Sequence, residues 1–286
     1  MKDGINRFLF KYFETFTTIV KAYRLIKYFP RIKTPKTFNE KILHRKLNWR
    51  DRRYIELSDK VLAKDYVRKN SKQCNIIETL WQGKQVSKQE IQALLAVHDK
   101  IVLKTNHSSG DVFFLENNSS DSEIDDVISK LVHSLSIDFG VKNNEKWYSK
   151  IERKILIEKY LKSGDSRQIN DYKFHVFNSD GSKKVVIQVD HDRHENHTRS
   201  WFDETCNHLI FTNVYPNIVT TLDESVDISR MINVAKELSS DFDYVRVDLY
   251  SVDNCIYFGE LTFAHESGVG RFSDISYDYW MGNLWK

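Results

Sequence analysis

Apolar positions recur along the chain in two rhythms. At the amino terminus Phe8, Phe10, Phe13, Phe16, Ile19, Val20, Tyr23, Ile26 and Phe29 are spread among Arg7, Lys11, Lys21, Arg24 and Lys27, a spacing that predicts a basic amphipathic helix. Such a helix suits an anionic membrane surface, although an aromatic stripe at this spacing is more often the packed flank of a folded core. Pro30 and Pro35 punctuate a short basic link, and "TPKTFNEKILHRKLN" then opens a helix with Thr37 as its cap and Glu40 three residues on. The polar helical pattern continues to Asn70. Beyond it "NIIETLW" predicts a strand, "SKQEIQALLAV" a helix opened by Ser87 and Glu90, "KIVLKTNHSSGDVFFL" a strand, polar loop and strand, and Asp121 to Phe139 another helix.

After Trp147 the rhythm shortens. "KILIEKYL", "DYKFHVFNSDG", "KKVVIQVD" and "LIFTNV" are β-branched or aromatic runs separated by turn residues, "SVDISRMINVAKELSSDF" is one more helix, and "YVRVDLYSVDNCIYFGELTF" is a closing hairpin. The fold class is therefore α+β, with a helical first part and a mainly antiparallel second part.

The hairpin carries Asp248 and Glu260 inside runs that otherwise want burial. Alternation puts Arg246 and Asp248 on one face of the first strand and Glu260 and Thr262 on one face of the second. A two-residue turn at Asp253-Asn254 would pair 248 with 259 and separate the carboxylates. A three-residue loop over 253–255, with Asn254 or Cys255 left-handed, or a bulge of the same effect, brings them together. That register is the expectation. Two opposed carboxylates need a positive partner, either Arg246 or a hard divalent cation such as Mg²⁺.

Two lysines and a polar segment complete the candidate chemistry. Lys104 ends an apolar run and is followed by Asn106, His107, Ser108, Ser109 and Gly110; small residues and a lysine at a loop mouth suit phosphate, although an ordinary hairpin turn has the same composition. Lys173 alternates with His175 and Phe177 on one strand face, as a second charge for a polyphosphate or as a plain strand lysine. "QVDHDRHENHTRSWFD" is the densest polar segment, and His191, Arg193 and Arg199 make it a candidate loop for an acidic substrate, with His194 and His197 beside them. Its Asp190-His191-Asp192 also has the form of a metal- and nucleotide-sugar-binding pair in a glycosyltransferase.

Composition narrows the setting. With 41% hydrophobic residues the chain closes a real core, and its three Pro and ten Gly leave little for flexible tethers. The formal charge of +3 does not single out nucleic acid. Cys74, Cys206 and Cys255 stand singly, which points to a reducing, cytoplasmic setting, and no run reaches the length of a membrane span.

Taken together, "PKTFNEK", "VLKTNH", "ILIEKYL", "DYKFHVFN", "VRVDLY" and "YFGELTF" resemble the ATP-grasp superfamily and, within it, the TupA-like (teichuronopeptide biosynthesis-like) family, from about Thr34 to near the carboxyl terminus. The resemblance implies an ATP-grasp fold, two α+β subdomains clasping the nucleotide, preceded by a helical segment over 1–33. It divides the rest into an N-terminal part near 34–100, a phosphate-loop subdomain over 101–157 and a metal and substrate subdomain over 158–286. ATP and Mg²⁺ are the implied cofactors. Lys104 would touch the α- and β-phosphates, and the loop from Asn106 through Gly110 to Asp111 would cover the β- and γ-phosphates. The backbone of Glu158, with Lys159 and Tyr160 alongside, would read adenine. Asp248 and Glu260 would hold Mg²⁺, with Thr262 where many relatives place Asn, and Arg246 would face an acyl-phosphate while Lys173 offsets charge. The implied activity is carboxylate–amine ligation with release of ADP and phosphate, joining an amine or amino acid to a uronic acid or similar carboxylate in bacterial surface-polysaccharide (capsule) assembly. The other readings are the metal-dependent glycosyltransferase using Asp190 and Asp192, and a non-catalytic module binding a membrane surface through its amino-terminal helix.

Overall fold

The computed structural model describes residues 2–164, 169–179, 181–191 and 196–286, with residues 2–12 as backbone alone. Four helices come first: α1 (Lys2–Ile26), α2 (Phe38–Asn48), α3 (Arg53–Ser58) and α4 (Leu62–Asn70). Helix α2 starts where its capping box dictates. The Thr37 hydroxyl accepts the Glu40 amide at 3.1 Å, and the Glu40 carboxylate returns the bond to the Thr37 and Lys36 amides at 3.0 and 2.7 Å. The same box, Ser87 with Glu90, opens α5 (Lys88–Leu95), and Ser120 with Glu123 opens α6 (Asp121–Ser136). The helical run predicted to Phe139 breaks at Ile137, which is extended, and restarts as α7 (Phe139–Asn143) under an Asp138 cap.

Strands sort into two sheets. The smaller has the order β2 (Thr79–Gly83), β5 (Ile155–Lys159), β3 (Lys100–Thr105), β4 (Val112–Glu116), all antiparallel. In the larger, β1 (Cys74–Ile76) pairs in parallel with β11 (Cys255–Thr262). The antiparallel β10 (Tyr244–Val252), β6 (Asp171–Ser179), β7 (Ser182–His191), β8 (Thr198–Asp203) and β9 (His208–Leu209) follow in that order. Helix α8 (Ile228–Leu238) buries Met231, Val234, Ala235 and Leu238 in the core of the larger sheet, and α9 (Ile275–Leu284) packs on α2. A separate core of Ile91, Leu95, Ile101, Leu103, Leu115, Ile124 and Leu131 fills the space between the smaller sheet and helices α5 and α6.

Three sequence expectations change. "NIIETLW" is two strands in two sheets, because the chain crosses at Ile77 and Glu78; the buried Lys64 ammonium holds the crossing by donating to the Ile77 carbonyl at 2.9 Å and the Thr79 hydroxyl at 2.6 Å. "TRSWFD", read as polar loop, is strand β8. "LIFTNV" is a strand only over His208–Leu209; Phe211 is buried among Trp201, Phe272 and Tyr277, and Val214 takes φ 65°, which ends any pleat.

The hairpin reaches its expected register through the bulge. Asp253 and Asn254 form a two-residue turn with φ of 49° and 61°, so Val252 faces Cys255. Further along, Leu249 pairs with Phe258 and Asp248 with Glu260, leaving Gly259 as the extra residue. A Cβ at Gly259 would lie 3.0 Å from the Asp248 carbonyl, so glycine suits the close approach.

Candidate active site

Register builds the site as two rows across the larger sheet. Glu260, Asp248, Lys173 and Gln188 are successive cross-strand partners on β11, β10, β6 and β7. Two residues along, Asp171, Asp190 and Arg199 do the same on β6, β7 and β8. Alternation puts all seven on one face, and the opposite face carries Tyr172, Phe174, Val189 and Leu249 into the core.

Arg246 organises the first row. Its Nε and Nη2 donate to the two Asp248 oxygens at 2.7 and 2.8 Å, and Nη2 also reaches Glu260 Oε1 at 2.9 Å and the Thr262 hydroxyl at 3.0 Å. Its Nη1 meets His265 Nδ1 at 3.0 Å, so that nitrogen is the acceptor and His265 is neutral. Burial, and next the nearby His175, hold His265 well below its ordinary pKa. The Lys173 ammonium sits between Asp171 at 2.5 Å and Asp248 at 2.8 Å, with Asp190 at 4.0 Å. Burial favours its neutral amine, but Asp171 and Asp248 more than offset that and raise its pKa.

Glu260 is the open end of the row, about a quarter exposed where Asp248 is closed off. Its Oε2 turns outward, 3.7 Å from the Lys60 ammonium. Burial opposes ionisation of Glu260, yet Lys60, Arg246 and Lys173 together outweigh it and hold the carboxyl down at about 2.

Lys60 links the two sheets. Besides facing Glu260, its ammonium donates to the Ser108 carbonyl at 2.5 Å, and its backbone N–H donates to the Asn106 carbonyl at 3.2 Å. The loop after Lys104 is thereby set against the carboxylate hairpin. Within it Asn106 is wholly buried, donating to Asp59 and the Glu152 carbonyl at 2.9 Å each and accepting the Lys154 amide at 2.8 Å. His107 is buried against the Ile137 carbonyl at 3.3 Å, and burial lowers its pKa. The Ser108 hydroxyl bonds that of Thr105 at 2.5 Å. Ser109 and Gly110 remain exposed at the tip, the latter at φ +98°.

On the smaller sheet, Glu158 is buried between two ammonium groups, Lys64 and Lys104, each at 2.5 Å. Burial works against its charge, but Lys104 and Lys64 prevail and its pKa is lowered. Lys159 lies 3.9 Å from Glu78, and Tyr160 meets Phe114 edge-on at 6.0 Å where β5 ends. The structure thus sets Lys60 against Glu260 and Ser108 with Lys104 nearby, and Arg246, Thr262, Asp248 and Lys173 continue the row from Glu260.

The acidic-substrate candidates are not gathered in the same way. Arg199 is buried, with Asp190 accepting from Nε at 2.7 Å and Glu266 from Nη1 at 3.0 Å, while Tyr215 stacks over the guanidinium at 4.8 Å. His191 points to the other face of the sheet, bonds Ser200 at 3.1 Å and lines a cavity of about 320 Å³ with Tyr172 and Phe202. Arg193, His194 and Asp192 lie outside the described residues. Asp190 is paired with Arg199 and accepts a hydrogen bond from the Gln188 amide, which leaves little of it for the metal pair of a glycosyltransferase.

Lys60, Lys64 and Asp171 escaped the sequence reading. The available signal was in "DKVLAKDYV": Lys64 stands between Ala63 and Val67 on the buried side of α4, and a lysine in an apolar stripe requires a carboxylate partner.

A family model described as TupA-like ATPgrasp matches residues 40–286. No curated protein matches the sequence. Among solved structures, a D-alanine–D-alanine ligase from Helicobacter pylori superposes with a TM-score of 0.50 at 13% identity, over 80% of this chain and 60% of that one. Biotin carboxylase from Campylobacter jejuni gives 0.42 at 13% identity, over 78% and 42%. A Bacillus anthracis D-alanine–D-alanine ligase complexed with ATP gives 0.41 at 14% identity, over 73% and 54%. The likeness is one of fold, and the chain spans at most 60% of the length of these enzymes.

Proposed function

Because the chain belongs to the TupA-like ATP-grasp family, we propose that it is an ATP-dependent carboxylate–amine ligase. The observation that carries this reading is the Lys60 ammonium, which touches both Glu260 of the hairpin and Ser108 of the phosphate loop. A triphosphate lying along Lys60 would meet cations on one side and carboxylates on the other.

The carboxylates fit Mg²⁺ by the chemistry of their donors. Glu260, through the oxygen that Arg246 leaves, and the Thr262 hydroxyl are hard oxygen ligands, and Asp248 would join them where Arg246 turns from it toward substrate; Mg²⁺ commonly takes one or two carboxylates and completes its shell with water and substrate phosphates. Among the described residues no group of three or more His, Cys, Asp or Glu could cage a metal, so the donor set suits a cation that arrives with a nucleotide. Glu260 Oε2 is the outward oxygen, while Arg246 occupies the inner ones. Bound there, Mg²⁺ would supply charge neutralisation across the β- and γ-phosphates.

The protein's own groups divide the remaining work. Lys104 and Lys60 offset phosphate charge, and the exposed tip at Ser109 and Gly110 covers the phosphates with backbone N–H groups. Lys173 acts from behind, holding Asp248 in place from the buried side. A substrate carboxylate oxygen attacks the γ-phosphorus and ADP leaves. An amine nitrogen then adds to the acyl carbon, losing its proton, and the C–O bond breaks to release phosphate and leave the amide. Arg246, turned from Asp248, would neutralise the oxyanion of that addition. The acid is proposed to be a uronic acid or similar carboxylate of a surface polysaccharide, and the amine an amino acid.

The test is ADP and phosphate release with ATP and Mg²⁺ across a panel of uronic acids and amino acids. The reading expects stoichiometric ADP and phosphate for at least one acid–amine pair, dependent on both partners and lost in Glu260→Gln. ATP turnover that ignores both partners, or none with any pair, overturns it.

A further inference from the structure

Helix α1 has two apolar faces, and packing accounts for only one. Thr18, Ala22 and Ile26 are buried against Ile32 and Leu43, with Ile19, Tyr28 and Val269 around them. Asn144 donates to the Thr18 hydroxyl at 2.8 Å and Lys146 meets Glu14 at 2.6 Å. The helix is therefore fixed to the body of the protein. On the other side, Phe13, Phe16 and Tyr23 are 69%, 63% and 52% exposed, and at about 100° per residue they share with Val20 a sector about 80° wide. Phe29, past the end of the helix, is 69% exposed.

Cations border this stripe. Lys21, Arg24, Lys27, Arg31, Lys33 and Lys36 are all exposed. Residues 1–36 hold nine Lys or Arg and two acidic residues, a formal +7 in a chain whose total is +3, so residues 37–286 carry −4. The charge of the molecule is thus concentrated beside its largest row of exposed aromatic rings.

We propose that this face of α1 docks on an anionic lipid surface, its aromatic side chains entering the headgroup–acyl boundary and its cations meeting the headgroups. A second copy of the chain is a poor occupant, since it would bring another +7 against the first. Among the described residues no helix is long and apolar enough to cross a membrane, so α1 lies on the surface. Its buried face touches Val269, just past the left-handed residues Glu266, Ser267 and Gly268 that leave the carboxylate hairpin. The lipid-bound segment is in this way joined to the edge of the candidate active site. The proposal is independent of the ligase reading.

Vesicle flotation of the full chain tests it, with phosphatidylcholine alone and phosphatidylcholine doped with phosphatidylglycerol, at low and high salt. Binding is expected only with the anionic vesicles and is weakened by salt. The double variant Phe13→Ser/Phe16→Ser should bind about a hundredfold more weakly, from two lost aromatic insertions. Lys21→Glu/Arg24→Glu should lose the preference for phosphatidylglycerol. Both pairs are solvent-exposed, so an unchanged urea midpoint shows that the variants fold. Absent binding to the doped vesicles, or binding unchanged in Phe13→Ser/Phe16→Ser, overturns the proposal. So does sedimentation as a dimer that dissociates in that variant without vesicle binding, which assigns the face to a second copy.

Discussion

The two sheets present opposite charges to the space around Lys60, and they hold those charges differently. On the larger sheet Asp248 is closed off, with Arg246 and Lys173 on its oxygens, and the neighbouring Asp190 is closed off by Arg199 and Gln188. On the smaller sheet one carboxylate, Glu158, holds both Lys64 and Lys104, and the loop tip at Ser109 and Gly110 faces solvent. The carboxylate half is a lattice whose members fix one another. The cation half is tethered at one point. The two halves therefore differ in freedom: the carboxylate lattice is cross-braced, whereas under the proposed function Lys104 could turn from Glu158 to phosphate while Lys64 keeps that buried carboxylate paired.

Substitutions should separate the two halves. The largest expected effect is Asp248→Asn, which leaves Arg246 and Lys173 buried without their shared anion; removing one partner of a buried pair costs about 3–5 kcal/mol. Urea unfolding should record it, while Glu158→Gln should cost less because Lys104 is the more exposed of its two lysines and Lys64 keeps its bonds to the Ile77 carbonyl and the Thr79 hydroxyl. Equal losses would erase the distinction between the halves.

Next is a pH effect beneath the lattice. Burial, opposed by Lys46, pushes Glu145 up to about 7. An acid whose folded pKa is raised binds more protons folded than unfolded, so stability falls as pH rises from about 4.5 to 7, by about 3 kcal/mol in all. Glu145→Gln should flatten that slope in unfolding midpoints measured across the range. Glu260, held at about 2, acts in the opposite sense: its contribution is present above about 4.5 and is lost as pH falls toward 2.

Third, Lys104→Met should weaken ATP binding about a hundredfold, the worth of one desolvated charge–phosphate contact, read by titration calorimetry, with a smaller change in stability. The smallest effect belongs to Thr262→Val. Its hydroxyl bonds Arg246 and Glu260, and losing it should cost about 1 kcal/mol; a large loss of Mg²⁺-dependent binding in that variant would instead make Thr262 a ligand.

The sequence made some of this legible because the signals were local. Capping boxes at Thr37 and Ser87 fix helix starts within four residues. The need to bring Asp248 and Glu260 to one face required a longer turn or a bulge, and Gly259 provides the bulge. What stayed hidden depends on distant partners. "TRSWFD" read as loop because Arg199 is polar, yet that residue is buried by Asp190 on the adjacent strand. "NIIETLW" read as one strand because hydrophobic period does not say which sheet a residue joins, and Lys64, thirteen residues before Ile77, marks the crossing. Lys60 reads as one more helical lysine until the hairpin and the loop after Lys104 fold up to it.

Titration calorimetry of ATP, with and without Mg²⁺, on the natural chain and on Glu260→Gln asks whether the hairpin carboxylate recruits the metal. Mg²⁺ should strengthen ATP binding in the natural chain, and the folded variant should still bind ATP through Lys104 but gain nothing from the metal. Equal affinities with and without Mg²⁺ in the natural chain, or an undiminished Mg²⁺ effect in Glu260→Gln, would contradict that recruitment.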